Sequence, residues 1–100
     1  MRAGKLRHRV DIRKKVNGEW TVVASGVPVS VVTLSGRDLE YARAQHNTAT
    51  HQIRMRYHPE MRTSRQLYWA EEEKTFGVGH VDSVEGKRHE QVVIAEEIRS

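Results

Sequence analysis

The feature that most constrains this chain is a change of hydrophobic period between residues 33 and 57. Ser35, followed three residues later by Asp38, has the form of a capping box in which a carboxylate replaces the usual Glu or Gln, and it predicts a helix start. From His51 onward the period is two, which predicts a strand. One face of that strand carries His51, Ile53, Met55 and Tyr57, and the other carries Gln52, Arg54, Arg56 and His58. The chain therefore passes from a helix at about 36–46 directly into a half-buried strand.

Before the helix, the pattern predicts a hairpin followed by a third strand. The first strand has one face with Leu6, His8, Val10 and Ile12, and a second face with Arg7, Arg9, Asp11 and Arg13. Asn17-Gly18 is the strongest hairpin signal because both residues tolerate a positive φ, so residues 20–24 should return beside the first strand. Ser25-Gly26 is expected to break that partner strand. Residues 27–34 are apolar on both faces, which predicts a strand covered on both sides, with Pro28 at a strand start, edge or bulge.

Beyond the alternating strand, the sequence predicts three more strands joined by turns. The expected elements are strands at 65–70, 75–84 and 90–98, with turns at 71–74 and 85–87. Gly77 and Gly79 lie inside the second of these strands, and their missing side chains predict a bulge or bend there.

Six to seven short strands with one inserted helix predict a mainly β fold, a small antiparallel barrel or sandwich. Parallel winding would need a helix between most strands, and only one helix is expected. One hundred residues are enough for one domain with a modest core. We therefore expect a single domain over residues 1–100, with a helical excursion at about 35–50.

Composition excludes several classes of function. Cysteine is absent, which rules out disulfides and thiolate metal sites. No apolar run is long enough for a membrane span, and the charged first residues lack the apolar core of a signal peptide. Residues 1–66 carry thirteen Lys and Arg against five acidic residues, whereas residues 67–100 carry four against eight. This asymmetry suits either nearby DNA or neighbours that meet through opposite faces.

Motifs for catalysis or metal binding are weak. The sequence has no Gly-rich phosphate loop, no nucleophile elbow and no H-E-x-x-H pair. Ser35 stands where a helix cap is expected, and Glu71 to Glu73 is typical of a solvated turn. The histidines show no tight metal-ligand spacing; they are His8, His46, His51, His58, His80 and His89. We expect no catalytic residues, no metal and no cofactor.

Five arginines form the most informative polar pattern. They are Arg7, Arg9 and Arg13 on the first strand and Arg54 and Arg56 on the alternating strand. If the two strands are neighbours, these guanidinium groups share one surface. Arginine suits contact with phosphate and bidentate pairing with carboxylates. The surface could face DNA in a channel or dock on acidic residues of a neighbouring subunit or ring, and we favour docking; a solvated polar face is the alternative.

Several motifs carry a family resemblance through their order and spacing. S-G-R-D at 35–38 leads through an Ala-rich helix into T-H-Q-I-R-M-R-Y at 50–57. Other pieces are G-K-L-R-H-R-V at 4–10, F-G-V at 76–78, R-H-E at 88–90 and the Glu96-Glu97 ending. Together they resemble the head-closure proteins of tailed bacteriophages, also called head–tail joining proteins or adaptors, over nearly the whole chain. Pro28-Val29 departs from the Trp-Ala pair that similar proteins tend to carry.

The resemblance implies a structural role rather than an enzyme. Similar proteins are small barrels with a helix-bearing excursion, and they form a ring, twelve-fold in similar systems, beneath the portal and its adaptor. Such a ring would close the channel after DNA packaging and offer the surface on which a tail docks. Its partners would be further copies of the chain, the portal or adaptor, tail proteins and the packaged DNA, with no membrane partner. The chain would reside in the virion after assembly in the cytoplasm of the host bacterium.

In similar proteins, the excursion projects toward the channel of the ring and helps to gate it. Carried over to this chain, the channel-facing positions would be Gly36, Arg37, Asp38, Tyr41 and Arg43. The alternative interpretation is a helix that plugs one end of the barrel through Leu39 and Tyr41.

Two other classes of function stay open on the sequence. The basic half suits a small-barrel protein that binds nucleic acid without sequence preference. The second class is a small hydrolase or nuclease that uses His51 and the arginines, although the sequence lacks a paired carboxylate motif.

Overall fold

The computed structural model describes residues 6–83 and 90–98. The elements, in chain order, are β1 His8–Val16, β2 Glu19–Thr33, α1 Gly36–Gln45, β3 His51–Arg56, β4 Arg65–Trp69, a 3-10 helix Ala70–Glu72, β5 Lys74–Ser83 and β6 Glu90–Ile98. The expected turn at 85–87 and the motif pieces Gly4-Lys5 and Arg88-His89 lie outside the described residues.

The six strands form one closed antiparallel barrel in the order β1-β2-β3-β6-β5-β4. Closure comes from β4, which pairs with β1 from Asp11 with Tyr68 to Lys14 with Arg65. The mainly β prediction with one inserted helix is confirmed, and of the two expected architectures the barrel is the one formed. Closure pairs the edge strands β1 and β4 with each other, and the outer part of the β1–β2 hairpin stays outside this pairing.

The alternating patterns of β1 and β3 point their apolar residues into the barrel. The main core consists of Val10, Ile12, Val27, Val29, Ile53, Met55, Met61, Leu67, Phe76, Val78, Val93 and Ala95. Tyr57 was expected on the same face as Met55, and this prediction is wrong because β3 ends at Arg56 and Tyr57 is 38% exposed. Met61 lies in the loop between β3 and β4, and its side chain inserts into the core.

The hairpin between β1 and β2 is confirmed. Asn17 and Gly18 have φ values of 51° and 81°, the positive values that a two-residue hairpin turn requires. The predicted break at Ser25-Gly26 is wrong, since β2 continues through it as a bulge. Asp11 stabilises this bulge, because its Oδ1 accepts hydrogen bonds from Ser25 Oγ and from the backbone N–H of Gly26, both at 3.1 Å.

Only one face of the second half of β2 is buried. Val29 is fully buried, whereas Val32 is 49% exposed, so the prediction of a strand covered on both sides is wrong. Pro28 lies opposite Arg9, close to the bulge and one residue before pairing with β3 begins at Val29. This position agrees with the expected place for a proline, because a proline cannot donate to a ladder.

The later elements follow the predictions closely. The 3-10 helix Ala70–Glu72 occupies the expected turn between β4 and β5. In β5, the register shifts between Val78 and His80, so Gly79 marks the predicted bulge. In β6, Gln91, Val93 and Ala95 turn inward.

Helix α1 begins where the capping signal placed it, but the capping interaction is different. Ser35 is the N-cap residue in extended conformation, and its side chain makes no capping hydrogen bond. Its carbonyl oxygen accepts the N–H of Leu39 at 3.3 Å. The expected Ser35–Asp38 capping box is therefore wrong as a mechanism, although the helix start is right.

Candidate docking surfaces

Three of the five arginines lie on the barrel exterior in neighbouring rows, and the exposed Arg7 immediately precedes β1. The two strands that carry them are not neighbours, because β2 lies between β1 and β3. The register nevertheless brings them close: Arg9 pairs with Pro28, Ser30 pairs with Arg54, and Arg56 follows Met55, which pairs with Val29. Two strand spacings place the Cα atoms of Arg9 and Arg56 about 10 Å apart across Pro28. We call the exposed set Arg7, Arg9, Arg54 and Arg56 the arginine wall.

Arg13 does not belong to this wall. It lies four residues farther along β1, opposite Val22 on one side and Gln66 on the other. Its guanidinium carbon is 4.4 Å from the ring centroid of Tyr68, a cation–π contact that accounts for its position without a partner molecule.

The arginines of the wall differ in the hydrogen bonds and ion pairs that their side chains make. Arg9 Nη1 donates weakly to the carbonyl oxygens of Leu6 at 3.3 Å and His8 at 3.4 Å. Arg54 and Arg56 are exposed and take part in no ion pair between described residues. Their charge is therefore available to an acidic partner.

Hydrogen bonds hold both ends of the excursion between β2 and β3 in place. We call these ends, Leu34 and Ala49–Thr50, the foot of the excursion. The backbone N–H of Leu34 donates to the carbonyl of Thr50 at 3.0 Å, and the N–H of Thr50 donates to the carbonyl of Ala95 at 2.9 Å. Arg43 Nε donates to the carbonyl of Ala49 at 3.0 Å, which joins the helix to its own return segment. These bonds fix where the excursion leaves the barrel.

The helix itself buries little surface. Ala42 is its only buried residue, and it packs with Leu34 and Ala49 in a small cluster that Leu39 and Ile94 complete. Because Ile94 alternates with the inward residues Val93 and Ala95, the helix covers the outer wall of β6. Tyr41 is 74% exposed, so the interpretation of a plug through Leu39 and Tyr41 is not what the structure shows.

Two histidines join the end of α1 to the barrel. His46, the C-cap residue, stacks on His80 of β5 with ring centroids 5.2 Å apart. His80 Nε2 lies 2.9 Å from Asp82 Oδ1. This stack supplements the small apolar cluster and keeps α1 against the barrel.

At the foot of the excursion lies a groove of about 430 Å³ that contains the buried His51. His51 Nδ1 lies 2.8 Å from Thr50 Oγ1, and its ring meets Phe76 edge-on at 4.8 Å. Burial lowers the pKa of His51 below its ordinary value of 6.5, against the opposing effect of Glu97. Both contacts identify His51 as a hydrogen-bonded core residue, as its place on the apolar face predicted.

The other strand-face histidine has the same character. His8 Nδ1 accepts the backbone N–H of Val31 at 3.1 Å, and its ring lies 4.6 Å from that of Trp69. Within residues 6–83 and 90–98, no group of three His, Asp or Glu side chains is arranged to hold a metal ion. Across the same residues, no helix has the length and hydropathy needed to cross a bilayer.

One exposed surface was missed by the sequence reasoning. Residues 14–23 of the first hairpin, which we call the hairpin ribbon, expose Val16, Trp20, Val22 and Val23 by 37–47%. The signal was present, because Trp20 and Val22 alternate with Thr21 and Val23, which leaves apolar residues on both faces of one strand. Such a strand is buried on both sides or has both sides available to a partner.

The fold defines a small closed barrel, and its exterior carries the arginine wall and the exposed apolar residues of the hairpin ribbon. Exterior surfaces of this kind suit a subunit that docks on other proteins. The comparison with protein-family models matches residues 1–98 to the phage head completion protein family. The chain therefore belongs to that family, which confirms the resemblance drawn from its motifs. A search of curated proteins found no match.

Membership of this family gives the chain a structural role in closing the phage head, as a component of the virion. The family is not a known enzyme family. It implies interaction with other head and tail components of the phage. The match favours this interpretation over the nucleic-acid-binding alternative.

Proposed function

We propose that the chain forms a ring beneath the portal and its adaptor, closes the DNA channel and presents the surface on which the tail docks. The ring is assembled in the cytoplasm of the host bacterium, and twelve copies would match similar systems. A single domain of residues 1–100 supplies both the barrel that docks and the excursion at about 35–50, whose helix packs on β6 in the free chain and would project toward the channel in the ring.

The observation that carries this proposal is the contrast between a firmly paired barrel and a sparsely packed helix. Helix α1 buries only Ala42, whereas the barrel has a continuous core of twelve residues. A segment with few buried contacts opens at low free-energy cost. Such a segment suits a gate, since the channel must be open while DNA enters or leaves and closed in between.

In this proposal, the channel-facing positions are Gly36, Arg37, Asp38, Tyr41 and Arg43. All five are exposed in the chain. The mixture of charges lets neighbouring excursions pair around the channel, and Tyr41 offers an aromatic surface at its centre. The backbone hydrogen bonds at the two ends of the excursion would hold it at the same position relative to the barrel in every copy of the ring.

The arginine wall supplies the docking surface, and Arg13 is a further candidate through the exposed side of its stack on Tyr68. Acidic residues of a neighbouring subunit or ring are the expected partners, because guanidinium groups pair bidentately with carboxylates. Individually weak contacts that repeat around a ring give high avidity. Firm binding to DNA would hinder its passage, which favours docking over phosphate contact.

Analytical ultracentrifugation with and without a purified portal–adaptor complex tests the proposal. We expect weak self-association of the isolated chain and a ring that forms only on the complex. A stable monomer that never joins the complex would refute the proposal. Without this gene, heads should still fill with DNA, but they should then lose that DNA and fail to join a tail.

A further inference from the structure

The tip of the hairpin ribbon, residues 15–20, extends beyond the closed part of the barrel. Pairing of β1 with β4 ends at Lys14, and pairing of β2 with β3 begins only at Val29. Beyond Lys14, the chain therefore forms a two-stranded ribbon in which Lys15 pairs with Trp20 and Val16 with Glu19. Two-stranded hairpins are marginally stable alone in water.

The ribbon concentrates exposed apolar surface. Of the eight large apolar side chains that are substantially exposed among the described residues, four lie on it: Val16, Trp20, Val22 and Val23. Lys15 Nζ lies 5.7 Å from the ring centroid of Trp20, and Lys14 is exposed beside it. The ribbon thus combines lysine side chains with an exposed apolar surface of the kind that marks a protein-interaction site.

The opposite end of the barrel carries the complementary features. Trp69, the last residue of β4, contacts His8 near the start of β1, so the turn that follows lies at the end away from the ribbon. That turn exposes Glu71, Glu72 and Glu73. Beside it, Ile98 pairs with Thr75 and is 43% exposed. We call Glu71–Glu73 with Ile98 the acidic corner.

We propose that the hairpin ribbon of one copy docks on the acidic corner of the next copy. One molecule cannot make this contact itself, because the two surfaces lie at opposite ends of a barrel of 37 × 30 × 26 Å. Contact of ribbon with ribbon would bring Lys14 and Lys15 of both copies together. Contact of two different surfaces is heterologous, and it closes into a ring when the rotation between copies permits.

This inference rests on the proposed ring and adds the surfaces through which its subunits meet. The exposed edge of β2 between Glu19 and Pro28 gives the ribbon backbone groups that a neighbour can pair with. The bulge at Gly26 and the proline at 28 limit this pairing to the outer part of the strand.

Cysteine cross-linking tests the contact, because the chain contains no cysteine of its own. Particles are assembled from a Lys15→Cys, Glu72→Cys double variant and treated with a short bis-maleimide. The expected result is a ladder of dimers, trimers and higher oligomers. A mixture of the two single variants should give dimers only. A control pair, Lys15→Cys with Glu40→Cys on the exposed side of α1, should give no ladder.

The outcomes separate this inference from the proposed function. Particles that contain the chain but show no ladder overturn the ribbon contact and leave the ring proposal standing. Dimers from Lys15→Cys alone, at the yield of the mixture, indicate a ribbon–ribbon contact and also overturn it. If purified phage particles do not contain the wild-type chain, the proposed function itself is overturned.

Charge exchange gives a second test that does not depend on chemical cross-linking. Lys14→Glu with Lys15→Glu should lower the yield of tailed particles by about tenfold or more, since each unfavourable contact repeats around the ring. Glu71→Lys with Glu72→Lys should do the same. Combination of all four changes should restore the yield, and a combined defect equal to or larger than either pair alone would overturn the inference.

Discussion

The hydroxyl oxygen of Thr50 accepts a hydrogen bond from the backbone N–H of Glu97 at 2.7 Å. Thr50 lies at the foot of the helical excursion, and Glu97 lies near the end of β6. The same hydroxyl lies 2.8 Å from His51 Nδ1. One side chain therefore links the excursion, the last strand and a buried histidine.

Replacement of Thr50 with Val should loosen this foot. The backbone N–H of Glu97 and the ring of His51 both lose a partner, and a half-buried group without one costs about 1–3 kcal/mol. We expect a matching loss of unfolding free energy in urea and faster amide exchange in residues 34–50. The control is Thr48→Val, an exposed site, which should change neither; equal effects at both positions would contradict this account.

The buried position of His51 predicts a dependence of stability on pH. Burial lowers the pKa of His51 from 6.5 in the folded protein, so below pH 6.5 the unfolded chain binds a proton that the folded chain does not. His51 therefore makes its full contribution to the free energy of unfolding above pH 6.5. This contribution decreases as the pH falls from 6.5 toward the folded-state pKa. His51→Gln should flatten this part of the stability curve, measured by urea unfolding between pH 7 and 5.

A core substitution without a titrating group is the matched control for His51. Ile53→Val on the same strand should cost about 0.5–1.5 kcal/mol and displace the whole stability curve by the same amount at every pH. A His51→Gln curve that runs parallel to the wild-type curve would show that His51 contributes no pH dependence.

The two glycines of β5 should respond differently to alanine. A Cβ at Gly79 would lie 3.3 Å from the carbonyl oxygen of Ile94, a backbone atom held in the β6 ladder, whereas at Gly77 it would meet Ile98 Cδ1 at 3.4 Å. Gly79→Ala should cost about 1–3 kcal/mol through overpacking. Gly77→Ala should be neutral or stabilise by up to about 1 kcal/mol, because the exposed Ile98 can turn aside. Thermal unfolding of both variants measures the difference, and equal losses would contradict it.

The two arginines of β3 should affect docking rather than folding. Arg54→Gln with Arg56→Gln removes exposed charges that take part in no ion pair between described residues. We expect an unfolding free energy within about 0.5 kcal/mol of wild type, with sedimentation onto the portal–adaptor complex weakened at least about tenfold. Arg62→Gln, an exposed change outside the wall, is the control. Unchanged binding of the double variant would remove the arginine wall from the docking surface.

The sequence predictions were most accurate for features that depend on interactions between residues close together in the chain. The Asn17-Gly18 turn, the start of α1, and the alternation of β1 and of β3 as far as Arg56 depend on residues close together in the chain, and all were predicted correctly. The depth of Met61 was not, because its loop is held inward by packing on strands distant in sequence. The side-chain cap of Ser35 was not either, because helix starts can be satisfied by other means.

The sequence by itself determined the class of fold, the place of the helix and the family, since hydrophobic period, turn residues and motif order are local properties. Only the tertiary structure decided that the strands close into a barrel, that β2 separates β1 from β3, and that Arg13 pairs with Tyr68 instead of joining the arginine wall. Strand order depends on which distant segments bury their faces together. That choice is made by the free energy of the whole core, and no single segment encodes it.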